Sequence, residues 1–310
     1  MTSEGLETIV ARRSAEPLAP DIQALAEAIR ARHEPGVLAV LAYGSSLRGV
    51  AAGDTLIDLY VLTDSAAAVS PNRLARLGCR LVPPNVHYGE ARIGSVTLRA
   101  KYAVLPLEVF VRKMGPEVTN PYFWARFAQP CRIAWVRDEE VRSKLVAGLA
   151  QAVRTMIAAS LPLSPEGEDA LELWRRGLAE TYRTEFRPES DDRARAIVAA
   201  DAAYYEAVTQ AVLGQDGLRA PAGSPLSRGR AVEGGQSDVS WRRRRIAGKA
   251  LSVLRLLKAA FTFEGGADYV AWKIARHSGQ SIDVKPWQRR HPVLGALWLL
   301  PGLLRRGALR

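Results

Sequence analysis

The run Ala42-Tyr43-Gly44-Ser45-Ser46-Leu47-Arg48-Gly49, followed by Leu56-Ile57-Asp58-Leu59-Tyr60-Val61, decides how the rest of this chain is read. Residues 37–43 form a short, wholly apolar run, and residues 56–62 form a second one broken only by Asp58. Runs of that length bounded by turn residues read as neighbouring buried strands. A glycine and a serine where a strand turns into a helix present backbone N–H groups and a hydroxyl to a phosphate chain, and the helix amino terminus adds a favourable dipole. Tyr43, Gly44, Ser45, Ser46 and Arg48 are therefore candidates for binding a nucleotide's phosphates. Asp58 needs a partner, because an unpaired buried carboxylate is costly. That partner is either a divalent cation or an arginine such as Arg48.

Outward from this pair of strands, residues 21–33 repeat apolar positions at helical spacing until Pro35-Gly36 stops them. On the other side the pattern predicts a helix near 70–80, a turn at Pro83-Pro84, a strand over 96–105 and a helix over 106–114. Strand and helix alternate, so the expected fold is α/β (α+β), with a small mixed sheet in residues 1–120. From 121 to 213 the pattern is helical, with segments at 121–129, 138–160, 167–186 and 191–213 forming a helical domain. Residues 214–240 are rich in Gly, Ser, Pro and Arg, lack an apolar period, and read as a linker. Beyond it, 241–261 reads as a basic amphipathic helix and 267–276 as another helical piece. Residues 293–304 are an apolar block between Arg289-Arg290 and Arg305-Arg306.

Charge divides unevenly between these regions. The chain of 310 residues has a net charge of +11, yet residues 241–310 hold 15 Lys+Arg against 3 Asp+Glu, which leaves the first 240 residues at −1. A near-neutral body with a basic, tryptophan-containing apolar tail points to an anionic membrane surface; the other reading of 293–304 is a core or dimer helix. The arginines at 242–245 also raise nucleic-acid binding, but no nucleic acid is expected, since no RNA or DNA module is recognisable and the apolar block would have no role. Two cysteines without a CxxC pair suggest neither a disulfide framework nor a zinc site. The first 18 residues lack the apolar centre of a secretory signal, and no stretch reaches the roughly 20 apolar residues needed to span a bilayer. The expected location is cytoplasmic, attached peripherally to the inner membrane.

The Gly-Ser turn followed by a carboxylate-bearing strand resembles the nucleotidyltransferase superfamily, whose common pattern is Asp-x-Asp. Here Tyr60 takes the second place, leaving Asp54 and Asp64 as candidates for a further metal ligand. Pro84-Asn85-Val86-His87-Tyr88-Gly89, then Arg99-Ala100-Lys101-Tyr102, then Trp124-Ala125-Arg126-Phe127-Ala128-Gln129-Pro130 follow in order. Together with the first two runs they are similar to the mitochondrial-type phosphatidate cytidylyltransferase family, also called translocator assembly and maintenance. The motifs cover roughly residues 40–135, and a weaker similarity returns near 250–276. Gly89 stands where that family tends to have Ser, Ala103 replaces a glycine and Gln129 replaces a lysine, departures that bear on substrate detail.

The resemblance implies magnesium-dependent transfer of a cytidylyl group from CTP to phosphatidate, making CDP-diacylglycerol. It implies Asp58 on magnesium, Gly44 and Ser45 on the triphosphate, and Lys101 on a phosphate, with Arg48 as a second phosphate ligand. His87, Tyr88 and Asn85 would contact nucleotide or lipid phosphate. Read without it, His87 is a structural or solvated loop histidine and Lys101 an edge-strand lysine. Two other readings stay open: the same fold acting on a different acceptor, and a non-catalytic membrane-associated scaffold.

Overall fold

The computed structural model describes residues 4–48, 56–163, 169–185, 190–215, 240–262 and 285–287. A five-stranded sheet in the order β3-β4-β2-β1-β5 holds β1 (Val37–Tyr43), β2 (Leu56–Thr63), β3 (Asn85–Ile93), β4 (Val96–Pro106) and β5 (Cys131–Val136). β2 and β4 run parallel and the other neighbours antiparallel, so the sheet is mixed and the fold α/β, as expected. The two apolar runs are adjacent strands: Tyr43 pairs with Asp58 and Leu41 with Tyr60. Both faces of these central strands are covered, so both sets of alternating side chains are apolar and nearly all are buried.

Two strands lie where sequence reading places none. β3 carries Asn85 and His87, polar residues that look like loop chemistry, yet it pairs with β4 through a two-residue turn in which Gly94 has φ +60°. Asn85 tolerates burial because its side-chain amide donates to the Ala75 carbonyl at 3.0 Å. β5 pairs with the outer edge of β1, so the sheet takes a strand from beyond residue 120.

α2 (Pro20–Ala31) and α4 (Arg73–Leu81), with the short α3 (Ala66–Val69) packed beside α4, cover one face of the sheet. Against the other sit α5 (Leu107–Arg112) and α6 (Trp124–Phe127), whose Phe110 and Phe127 meet the Tyr60 ring at 6.2 and 4.8 Å. α7 (Glu139–Ser160), capped by Asp138, packs on α5 and α6, and α8 (Ala170–Arg183) packs on α7. α1 (Leu6–Ser14) joins this helical part through α7 and α10 (Ala202–Gln215). The helix expected over 191–213 is divided into α9 (Ser190–Ala200) and α10 at Asp201, which is ion-paired with Arg13 of α1 and whose carbonyl accepts from the Tyr204 and Tyr205 amides. Among the described residues, the helix from Glu139 to Leu163 is long and apolar enough to cross a bilayer; 67% of its apolar stretch is buried in the body, the condition of a core helix.

α11 (Trp241–Thr262) divides its cations between the protein body and its outward side. Arg242, Arg243, Arg245 and Lys249 are exposed, whereas Arg244, Arg255 and Lys258 turn to the body. Arg244 is buried, donates to the Val118 and Thr119 carbonyls at 2.9 and 3.1 Å, and lies over the rings of Trp124 and Trp241. Arg245 meets Glu180, Arg255 stacks on Tyr122 at 3.7 Å, and Lys258 donates to the Val82 and Pro84 carbonyls. A side chain at Gly248 would strike the Thr184 carbonyl at 2.5 Å, so only glycine admits this approach. The segments read over 267–276 and 293–304 lie outside the described residues, as does most of the linker at 214–240.

Candidate functional site

Directly paired residues on neighbouring strands share a face of the sheet. The register therefore sets Tyr43, Asp58, Lys101 and Tyr88 in one row, with Tyr60, Ala103 and Val86 in the row behind. A cleft of about 220 Å³ opens over Tyr43, Asp58 and Lys101. Its walls are the Gly44-Ser45 turn, Tyr122, Arg126 and Gln129 around α6, and Tyr182, Glu185 and Arg193 from the helical part.

Gly44 is glycine for two reasons. Its φ of +87° lies in the left-handed region, and a Cβ there would sit 3.2 Å from Oδ2 of Asp58. The turn backbone is thereby pressed against the carboxylate. Ser45 opens into the cleft at the head of a 3-10 turn (Ser45–Arg48). Ser46 does not share that role: it is buried and its hydroxyl donates to the Tyr43 carbonyl at 3.4 Å, closing the turn. Arg48 ends the turn, and its side chain lies outside what is described.

Sequence reading missed Arg126. Its Nη1 donates to the Tyr60 hydroxyl and to the Tyr122 carbonyl, each at 3.2 Å, and its guanidinium lies 4.2 Å from the Tyr122 ring and 5.5 Å from that of Tyr43. Where an Asp-x-Asp strand would offer a second carboxylate, this chain offers a tyrosine hydrogen-bonded to a fixed cation. Burial alone would lower the Arg126 pKa, but the oxygens of Tyr122 and Tyr60 outweigh it and hold the group above its ordinary value. Burial pushes Tyr60 well up. Tyr122 is pushed up by burial too, yet Arg126, Arg255 and Lys101 bring it below the ordinary tyrosine value. Arg126 belongs to the Trp124–Pro130 motif, so its signal was present; Glu185 had none.

Other expected site residues are elsewhere. His87 and Asn85 point to the opposite face of the sheet, beneath α2 and α4. The His87 ring stacks on Tyr102 at 5.3 Å with His33 edge-on, and its expected contact with substrate is excluded by the thickness of the sheet. Tyr88 shares the Asp58 row, but its hydroxyl donates to Glu90 at the strand end. Asp64 is exposed just past the end of β2, six residues and about 20 Å from Asp58 at the strand rise, with its amide bonded to the Gly36 carbonyl at 2.9 Å. It cannot share an ion with Asp58. Asp54 lies outside the described residues.

A hard divalent ion takes oxygen ligands, and magnesium commonly keeps one or two protein carboxylates and completes its shell with phosphate and water. Asp58 on the cleft floor suits one such ligand, and Glu185 is in the wall. No group of three or more His, Cys, Asp or Glu able to hold a metal occurs among the described residues. The donor set therefore fits an ion shared with a substrate's phosphates, not a cage built by protein alone. Lys101, Arg126 and Arg193 against Asp58 and Glu185 leave the cleft net positive, a setting for a polyanion.

The chain is similar in structure to a nucleotidyltransferase-like protein from Exiguobacterium sibiricum, at 13% identity over 92% of each chain with a TM-score of 0.27. Such a loose superposition decides nothing about activity. No family model and no curated protein sequence matches the chain.

Proposed function

We propose that this protein is a magnesium-dependent nucleotidyltransferase that moves the cytidylyl group of CTP onto phosphatidate, forming CDP-diacylglycerol and pyrophosphate at the cytoplasmic face of a membrane. The observation that carries the reading is Asp58, held by strand register between Tyr43 and Lys101 and pressed against the positive-φ Gly44. In-line displacement at a phosphorus asks the protein mainly for positioning and charge neutralisation. The Gly44-Ser45 turn would receive the triphosphate, while Lys101 and Arg126 would balance phosphate charge as fixed cations. Magnesium, when bound through Asp58, would supply further neutralisation of the α-phosphate. CTP and phosphatidate are taken from the resemblance carried by the motifs over residues 40–135.

A second reading keeps the transfer and changes the acceptor. Gln129 favours it: the resemblance puts a lysine there, and here an amide that donates to the Ala125 carbonyl at 2.9 Å lines the cleft. The test is product analysis with labelled CTP, magnesium and detergent-dispersed phosphatidate. Wild type is expected to form CDP-diacylglycerol, and Asp58→Ala to lose about 100-fold or more. Undiminished product in Asp58→Ala removes the mechanism; label appearing only on another acceptor selects the second reading.

A further inference from the structure

The nine-residue helix α4 is amphipathic in the reverse sense to a core helix. It buries Ala75 and Cys79, while Leu74, Leu77 and Leu81, spaced along one side, are 75%, 51% and 68% exposed. Arg73, Arg76 and Arg80 flank them. α11, which packs against α4 and β3, repeats the arrangement. With Arg244, Gly248 and Arg255 turned to the body, it presents Ile246 at 62%, Leu257 at 57% and Val253 between them to solvent, flanked by exposed Arg242, Arg243 and Lys249. Neither helix carries an acidic residue. Two neighbouring stripes of large aliphatics edged only by cations are the pattern of a helix lying in a headgroup layer, not of a surface left for water.

We infer that the outward faces of α4 and α11 together form the platform on which this protein rests on an anionic lipid membrane. The leucine stripe enters the acyl boundary and the flanking arginines meet phosphate headgroups. Position supports this for α11: its Arg255 stacks on Tyr122, which lines the cleft, so the α11 part of the platform adjoins the cleft rim where a membrane-held acceptor would enter, while α4 extends the platform from the other face of the sheet. The choice of lipid over an acidic protein or a second copy rests on the proposed lipid acceptor and on the uniform positive charge. It keeps the first helix of the expected basic region 241–310 as membrane contact and adds α4 of the folded body to it.

The experiment compares the full chain with its Leu74→Ser/Leu77→Ser/Leu81→Ser variant, whose fold is checked by an unchanged thermal midpoint because the three side chains are exposed. Vesicles of phosphatidylcholine alone and of phosphatidylcholine mixed with phosphatidylglycerol are sedimented with each. Wild type is expected on the anionic vesicles only, with binding about tenfold or more weaker in the variant. Equal binding by both proteins overturns the inference, as does a wild type that ignores anionic vesicles. A variant that turns a dimer into a monomer while keeping its vesicle affinity also overturns it, by assigning the stripe to a second copy. Binding is read without turnover, so a chain that binds through α4 but transfers no nucleotide keeps this inference and sinks the proposed reaction.

Discussion

Gly44 and Asp58 are a matched pair. One backbone position in the left-handed region and one carboxylate approach so closely that no other residue fits the first without moving the second. Gly44→Ala is expected to cost about 1–2 kcal/mol through the positive φ. It should also depress transfer activity well beyond what that loss explains, because the new methyl displaces Oδ2 of Asp58. Urea unfolding and initial rates on the same preparation check this, and wild-type rates in a destabilised Gly44→Ala would separate the turn from the chemistry. The residues that sequence singled out divide cleanly on the structure. Asp58 and Lys101 lie on strands whose apolar pattern fixes their neighbours, and Gly44 and Ser45 lie on the turn that follows such a strand. His87 and Asn85 rest on the resemblance of the Pro84–Gly89 motif, and β3 turns both away from the cleft because side chains alternate along a strand.

Among the elements, α11 has the most to explain, since its sequence reads as a basic amphipathic helix with its arginine run on lipid headgroups. Arg244 is a buried cation whose partners are backbone carbonyls and two indole rings, and burial lowers its pKa to about 10. Removing it leaves the Val118 and Thr119 carbonyls without that donor and opens a gap between Trp124 and Trp241. Arg244→Ala should therefore destabilise the chain by about 2–4 kcal/mol, measured by denaturant unfolding, whereas Arg243→Ala on the exposed side should change stability by less than about 0.5 kcal/mol. Equal effects would mean that α11 does not dock as described. Periodicity found this helix together with α2, α4 and α7, but it overlooked β3 and β5. Edge strands such as the polar β3 and the six-residue β5 carry little pattern of their own and are held by a partner strand that sequence does not name.

The whole molecule is joined where α11 closes against the β3 side of the sheet, and Lys258 is the clasp. Its ammonium donates to the carbonyls of Val82 and Pro84, while burial lowers its pKa to about 8 from the usual 10.5. Between those values the unfolded chain binds more protons than the folded one, so this group makes stability rise as pH increases from about 8 toward 10.5. Unfolding free energies measured at steps across that window should improve for wild type relative to Lys258→Met, and parallel curves would show that the clasp is solvated. Sequence by itself determined the central strands, the Gly-Ser turn, the carboxylate and the basic surplus at the carboxy terminus, because apolar period, turn chemistry and charge are local properties. Tertiary structure alone decided that Arg126 stands beside Tyr60, that His87 faces away, and that α11 turns Arg244, Arg255 and Lys258 inward and Ile246, Val253 and Leu257 out. Each of these depends on which surface a distant segment covers, and the energy of burying a charge or a leucine is fixed only once that neighbour is in place.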